Sequence, residues 1–85
     1  MASELFDKAA EAVKRIKSKP SNKELLELYS SFKQATIGDC NTKKPRGFDF
    51  AGKAKWEAWN ALKGKSTEDA EEAYIALVRR LGGDF

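Results

Sequence analysis

The stretch GDCNTKKPRGFD, from Gly38 to Asp49, interrupts a chain otherwise patterned for helices and decides which bundle can form. It is rich in turn-forming residues and has no helical periodicity, so we predict a long ordered loop. Its twelve residues can cross the length of a small bundle. The loop therefore permits the helices on either side to run parallel, but by itself it does not exclude an up-and-down arrangement.

Two amphipathic segments precede this loop. The first is predicted to be capped by Ser3 and to end at Pro20, which cannot continue a helix. The second opens at Ser21, whose spacing to Glu24 is that of a capping box, and it should end near Gly38. The predicted inner face of the first helix consists of Phe6, Ala9, Ala10, Val13 and Ile16. That of the second helix consists of Leu25, Leu28, Tyr29, Phe32 and Ala35.

Two further helices are predicted after the loop. The third ends at Gly64, and the fourth opens at Ser66, with Asp69 at capping-box spacing, and ends at Gly82. No alternating strand pattern is visible, so the sequence predicts an all-α fold of four helices around one core. The inner faces of these two helices are predicted to be Trp56, Trp59 and Leu62, then Ala70, Ala73, Tyr74, Leu77, Val78 and Leu81.

The composition predicts one small domain, residues 1–85, because 85 residues with 41% hydrophobic content can build a single core. Cys40 is the only cysteine, which excludes an internal disulfide and fits a reducing compartment such as the cytoplasm. Glu4 and Asp7 lie where a signal peptide would need an uninterrupted apolar stretch, and no apolar run approaches transmembrane length. We expect a cytoplasmic protein with no stable membrane insertion and at most transient membrane contact.

The positive charge is unevenly distributed, although the net charge is only +3. Four cations and no anion lie between Lys14 and Lys19, and eight cations lie between Lys33 and Lys65. Such clustering favours an anionic partner, which could be a phosphorylated small molecule, a nucleic acid or an acidic membrane. An ordinary solvated, lysine-rich surface is the alternative interpretation.

The residue inventory argues against catalysis. The chain has no histidine, and its lone cysteine has no evident partner base, so the usual acid–base, nucleophilic and metal-ligand sets are absent from the sequence. We therefore predict no enzyme activity, no metal and no cofactor. The segment Gly47–Lys53 fits the phosphate-loop pattern GxxxxGK, but Ala54 stands where Ser or Thr must bind magnesium and Asp49 would put a negative charge in the cradle.

Candidate binding residues lie on the second and third helices. Tyr29 and Lys33 are four residues apart and share a face, with Phe32 beside them, and a ring next to a cation suits a phosphorylated aromatic ligand. In the alternative interpretation, Tyr29 and Phe32 belong to the core and Lys33 only extends its stem along them. Lys55 lies at the rim of the third helix's apolar face and could point at the same cavity.

Tyr74 and Lys14 are further candidates. Tyr74 lies in the middle of the fourth helix's apolar stripe, so its hydroxyl needs a buried polar partner, which could be a ligand phosphate or a protein carbonyl. Lys14, just past the first apolar stripe, is either a ligand contact or solvated surface.

Four segments of the chain together carry a resemblance to a known family. They are Tyr29–Thr42 (YSSFKQATIGDCNT), Asp49–Trp59 (DFAGKAKWEAW), Lys63–Gly64 and Ala73–Ile75 (AYI). They resemble the acyl-CoA-binding protein family, and the resemblance extends without a gap from Phe6 to about Leu81. It implies an up-down-down-up four-helix bundle with a crossover loop between helices 2 and 3. It also implies a monomeric, non-enzymatic carrier and pool former for long-chain fatty acyl-CoA.

The resemblance also assigns residues by position. It implies that Tyr29, Lys33, Lys55 and Tyr74 contact the adenine and the ribose 3'-phosphate, that Lys14 lies near the phosphates, and that Leu25 and Leu26 line the acyl path. Phe32 stands where a tyrosine is common and would keep a ring for the adenine. Arg46 lies between Pro45 and Gly47, where the family commonly has Pro-Gly. The competing interpretation is a basic helical module that binds nucleic acid or a partner protein.

Overall fold

The computed structural model describes residues 3–85, and within that range it contains four α-helices and no strand. The first two residues of the predicted domain, Met1 and Ala2, lie outside the described residues. The predicted all-α class is confirmed. The helices are α1 (Glu4–Ala12), α2 (Asn22–Thr36), α3 (Phe50–Asn60) and α4 (Thr67–Arg80).

Side-chain caps begin every helix. The predicted capping box is complete at α2, where Ser21 Oγ accepts the Glu24 N–H at 3.1 Å and Glu24 Oε1 accepts the Ser21 N–H at 2.8 Å. The bond from the Ser21 backbone lowers the pKa of the Glu24 carboxyl. The other caps are Ser3, Asp49 and Ser66, which accept the N–H groups of Phe6, Gly52 and Asp69.

α1 is shorter than predicted. It ends at Ala12, and the chain tightens into a 3-10 turn, Val13–Arg15, before becoming extended at Ile16. The prediction that the helix continues to Pro20 is therefore wrong. A 3-10 turn is a common way to finish a helix, and here it still allows Val13 and Ile16 to pack against the core.

α2 and α4 are antiparallel neighbours. At one end of the pair the Glu27 carboxylate lies 3.7 Å from the Arg80 guanidinium, and at the other Gln34 Nε2 donates to the carbonyl of Lys65 at 2.8 Å. α1 and α4 are parallel, since the Ser3 N–H donates to Glu71 Oε1 at the start of both helices.

α2 and α3 run parallel, as the long loop permits. Asn22 and Ala51, from the first turns of the two helices, line the same groove. Near their carboxyl ends the indole N–H of Trp59 donates to the Gly38 carbonyl at 2.8 Å. The residues 37–49 that connect the helices contain no helix or strand. The up-down-down-up arrangement and its crossover loop are confirmed.

The buried core lies between α1, α2 and α4. α3 is peripheral: it packs against α2, and its buried residue is Trp59. The predicted core residue Trp56 is only half-buried, and its indole N–H donates to the Thr42 carbonyl of the crossover loop at 2.7 Å. The core cluster consists of Phe6, Ala9, Ala12, Leu28, Ala35, Ala70, Tyr74, Leu77 and Val78.

The inner face predicted for α2 needs correction. Leu28 and Ala35 are buried as expected, but Leu25 and Phe32 are 42% and 38% exposed. Gln34, which was not predicted, is fully buried. α2 lies between α3 and α4, so its two flanks are covered while the stripe through Leu25 and Phe32 remains open to solvent. An apolar stripe predicted to be core is therefore part of an accessible surface.

A polar cluster around the buried Gln34 side chain joins the carboxyl end of α2 to both loops that flank α3. Gln34 Nε2 donates to Asp39 Oδ1 at 2.9 Å as well as to the Lys65 carbonyl. The same Asp39 oxygen accepts the Gly64 N–H at 2.9 Å. The Gly64 bond and, after it, the Gln34 bond lower the pKa of the Asp39 carboxyl. These hydrogen bonds hold the carboxyl end of α2, which carries Lys33, against the two loops.

Candidate functional site

Two lysines from different helices flank the ring of Tyr29. Lys33, one turn along α2, holds its ammonium 5.9 Å from the ring centroid, and Lys55 on α3 holds its own at 5.4 Å. The Lys33 ammonium also lies 5.2 Å from the Trp59 ring. These distances are those of cation–π contacts, which hold both side chains over the aromatic faces. The structure thus brings together three of the predicted site residues: Tyr29, Lys33 and Lys55.

Among the described residues, no carboxylate neutralises this lysine pair. Within residues 3–85, the ion pairs closer than 4.0 Å involve Lys8, Lys14, Lys44 and Arg80, and neither Lys33 nor Lys55 is among them. Two positive charges held on the same ring without an anion create a positive potential at that point of the surface. The pair is suited to bind a group with more than one negative charge, such as a phosphate.

An aromatic cluster lies alongside. Phe32 is stacked on Phe6 with 5.6 Å between ring centroids, and it is tilted against Tyr74 at 5.7 Å. Phe6 and Tyr74 are buried and 5.1 Å apart, whereas Phe32 keeps much of its surface open. Phe32 is one turn from Tyr29 on the same open stripe of α2. The exposed ring, which packs on the buried rings of Phe6 and Tyr74, is suited to stack against a planar aromatic group.

The Tyr74 hydroxyl has no protein partner among residues 3–85, although the residue is only 4% exposed. The one sealed side-chain oxygen without a hydrogen bond in this range is Gln34 Oε1, and the Tyr74 hydroxyl is not such an atom. Burial of the rest of the ring raises the pKa of the phenol. Of the two partners predicted for this hydroxyl, a protein carbonyl is not present among residues 3–85, and a ligand phosphate stays a prediction.

An apolar groove runs between the amino-terminal halves of α2 and α3. Its volume is about 350 Å³. The two predicted acyl-path residues, Leu25 and Leu26, form one wall, and Ala51 and Ala54 form the other. Lys55 also lines the groove, and the same residue contacts Tyr29, so the groove leads directly to the lysine pair. The alanine wall was not predicted from the sequence, although two small residues at i, i+3 on the face beside Lys55 are a signal for it.

Lys14 is separate from this arrangement. It is exposed on the 3-10 turn after α1, and its ammonium lies 3.5 Å from Glu11 on α1. Its observed contacts do not bring it together with Tyr29, Lys33 or Lys55.

The segment Gly47–Lys53 does not form a phosphate cradle. Asp49 caps α3, and its Oδ1 accepts the Gly52 N–H at 3.0 Å, so the carboxylate occupies the space that a phosphate would need. The Lys53 ammonium donates to the Gly47 carbonyl at 2.6 Å. Nor does the described part of the chain bring three or more potential metal ligands together. None of its helices is both long and apolar enough to cross a membrane.

Comparison with known sequences gives consistent matches. A sequence model of the family described as "Acyl CoA binding protein" matches residues 3–78. The chain is 56% identical over 81 residues to an acyl-CoA-binding protein of Saccharomyces cerevisiae, covering 95% of this chain and 93% of the relative. It is 57% identical over 76 residues to acyl-CoA-binding protein homolog 1 of Caenorhabditis elegans, covering 89% and 88%.

Solved structures agree with the sequence matches. The solution structure of the yeast acyl coenzyme A binding protein has a TM-score of 0.75 and 55% identity, covering 94% of this chain and 93% of that one. The crystal structure of Oryza sativa acyl-CoA-binding protein 2 has a TM-score of 0.86 and 41% identity, covering 92% and 87%. The names of these relatives describe binding proteins rather than enzymes, in agreement with the predicted lack of catalysis. By sequence and by fold, this chain belongs to the acyl-CoA-binding protein family.

Proposed function

We propose that this protein binds long-chain fatty acyl-CoA esters and acts as an intracellular carrier and pool former for them. One observation carries the proposal: an apolar groove and an unneutralised pair of lysines share Lys55. An acyl-CoA ester is apolar at one end and multiply charged at the other, so it matches a surface that changes character in the same way.

The nucleotide end of the ligand is assigned to the lysine pair and the rings around it. Lys33 and Lys55 approach from two helices and hold the ribose 3'-phosphate through charge-assisted hydrogen bonds. The rings of Tyr29 and Phe32 offer stacking faces to the adenine. The Tyr74 hydroxyl, on a ring that packs against Phe32, donates to the ligand.

The acyl end is assigned to the groove lined by Leu25 and Leu26. Each methylene that leaves water contributes about 0.8 kcal/mol, so affinity rises with chain length until the groove is filled. This dependence supports a preference for long chains. It also explains the exposure of Leu25, since an apolar side chain open to solvent in the free protein becomes covered by the ligand.

Lys14 is assigned to the ligand's phosphates on the family resemblance. Its pairing with Glu11 is compatible with that role, because an exposed ion pair contributes only about 0–1 kcal/mol and yields readily to a phosphate. We further propose that residues 1–85 form one domain that acts as a monomer in the cytoplasm without a cofactor. On this proposal any contact with membranes is transient, and nucleic acid is not a partner.

Titration calorimetry with palmitoyl-CoA, coenzyme A and palmitate tests the proposal. Tight binding is expected only for palmitoyl-CoA, because each half alone makes part of the contacts. Palmitate binding as tight as that of the ester would indicate a fatty-acid carrier instead. A short oligonucleotide is the control, and its binding with a steep salt dependence would favour the basic-module interpretation.

A further inference from the structure

The amino-terminal end of α3 exposes two aromatic rings side by side. Phe48 is 91% exposed and Phe50 is 67% exposed, while the other exposed large apolar residues of the described chain lie between 38% and 50%. The two rings meet edge to face with 6.2 Å between centroids. Packing within the protein does not explain this pair, since nothing in residues 3–85 covers Phe48. Adjacent exposed aromatic rings are typical of a surface that contacts another phase or partner.

The segment that carries the two rings is basic. The segment 43–53 contains four cations and one anion. Lys44 is paired with the Glu57 carboxylate at 2.6 Å, which leaves Lys43, Arg46 and Lys53 without an acidic partner closer than 4.0 Å among the described residues. The single anion of the segment, Asp49, is engaged as the cap of α3. Lys43 and Arg46 are exposed and form no ion pair closer than 4.0 Å within the described residues, and the Lys53 ammonium lies 5.5 Å from the Phe50 ring. The rings therefore project from a basic surface.

We propose that the segment 43–53 is a docking surface for an anionic lipid bilayer. Phe48 and Phe50 enter the interfacial region, where aromatic side chains are favoured, and Lys43 and Arg46 lie against the lipid phosphates. Cations near an anionic bilayer and apolar side chains inserted into it add their contributions, which is how peripheral proteins bind reversibly. Charge complementarity identifies the occupant: a hydrophobic protein partner would not require cations on the same segment.

The docking surface adjoins one end of the apolar groove. Phe50 directly precedes Ala51 and is one turn before Ala54, and both alanines line the apolar groove. Docking through the rings therefore brings the end of the groove to the bilayer surface. If the proposed acyl-CoA binding is correct, an acyl chain can pass between the bilayer and the groove with little exposure to water. The docking itself does not depend on that function.

Vesicle sedimentation with the ligand-free protein tests the docking. We expect binding to vesicles of phosphatidylcholine containing about one quarter phosphatidylserine, and much weaker binding to pure phosphatidylcholine. Phe48→Ala should weaken partitioning about tenfold, equivalent to about 1.4 kcal/mol, whereas Phe48→Trp should retain it. Lys43→Gln combined with Arg46→Gln should weaken it by about fivefold per cation.

The matched control is Ile37→Ala, which removes a 50% exposed apolar side chain. Ile37 follows the carboxyl end of α2, whereas Phe48 and Phe50 lie at the amino-terminal end of α3. Ile37→Ala should leave vesicle binding unchanged. Equal binding of wild type and Phe48→Ala would overturn the proposal, as would equal binding to the two kinds of vesicle. The proposal would also be overturned if the protein did not bind vesicles but self-associated, and Phe48→Ala abolished that self-association. The rings would then contact a second copy of the protein. A loss of palmitoyl-CoA affinity in Phe48→Ala with vesicle binding intact would assign the rings to the acyl groove and likewise refute docking.

Discussion

Replacing Lys55 by alanine should weaken palmitoyl-CoA binding without unfolding the protein. The ammonium is exposed, so water partly screens its attraction to a phosphate: at about 4 Å the attraction lies between roughly 1 kcal/mol in water and 4 kcal/mol near a protein surface. A charge-assisted hydrogen bond is worth about 1.5–3 kcal/mol, within that range. The dissociation constant should therefore rise roughly 10- to 150-fold. The free energy of unfolding should fall by no more than about 1 kcal/mol, because an exposed cation–π contact with Tyr29 is lost.

Calorimetry with two ligands separates the phosphate contact from other effects. With 3'-dephospho palmitoyl-CoA, wild type and Lys55→Ala should bind almost equally, because the lysine has lost its partner in both. Lys33→Ala should resemble Lys55→Ala, and the double variant should cost less than the sum, since both ammoniums act on one phosphate. Lys8→Ala is the matched control: it removes the same charge from α1, where the ammonium lies 3.6 Å from Glu4. The reasoning is refuted if wild type binds the dephospho ligand as tightly as the complete one, or if Lys8→Ala is equally damaging.

Two further predictions concern single polar groups. Tyr74→Phe should keep the free energy of unfolding within about 1 kcal/mol of wild type, since no protein group among residues 3–85 bonds the hydroxyl, while palmitoyl-CoA affinity falls by roughly 0.5–2 kcal/mol. A loss of stability with normal binding would contradict this. The Asp39 carboxylate, whose pKa hydrogen bonds lower from its ordinary value of 3.8, should stabilise the fold above that pH and lose this contribution as pH falls through the depressed folded-state pKa. Urea denaturation across the acid range should show a shallower loss of stability for Asp39→Asn than for wild type, with Asp84→Asn as the control. A residual slope will remain, because the pKa of Glu24 is also lowered and the hydrogen bond from Lys44 lowers the pKa of Glu57. An unchanged slope in Asp39→Asn would contradict the assignment.

Local signals in the sequence predicted the helix starts well, and they failed where distant partners decide the outcome. Ser3, Ser21 and Ser66 cap helices because their hydroxyls reach N–H groups three residues ahead, and such contacts can be identified from spacing alone. The burial of Gln34 depends on a carbonyl 31 residues away, at Lys65, and no local pattern signals it. Glu71 is likewise buried against the Ser3 N–H, 68 residues distant.

The candidate site was predicted in part for a related reason. Periodicity identified the apolar stripe of α2, but it could not tell whether a neighbouring helix covers Leu25 and Phe32 or leaves them open. The parallel packing of α2 and α3 also came from the family resemblance, because a long loop permits either direction. Once that packing is fixed, Lys55 necessarily approaches Tyr29, and the lysine pair follows from the fold.

The peripheral attachment of α3 has a consequence for how the protein responds to a ligand. The core joins α1, α2 and α4, so α3 can detach from α2 without disrupting it, and such sub-global openings cost less free energy than complete unfolding. Trp59, with its bond to the Gly38 carbonyl, is the main anchor that must be released. A ligand that binds both Lys33 on α2 and Lys55 on α3 would link the two helices and make this opening less frequent. The amide hydrogens of α3 would then exchange with solvent more slowly in the loaded protein than in the empty one, while those of α4 would change little.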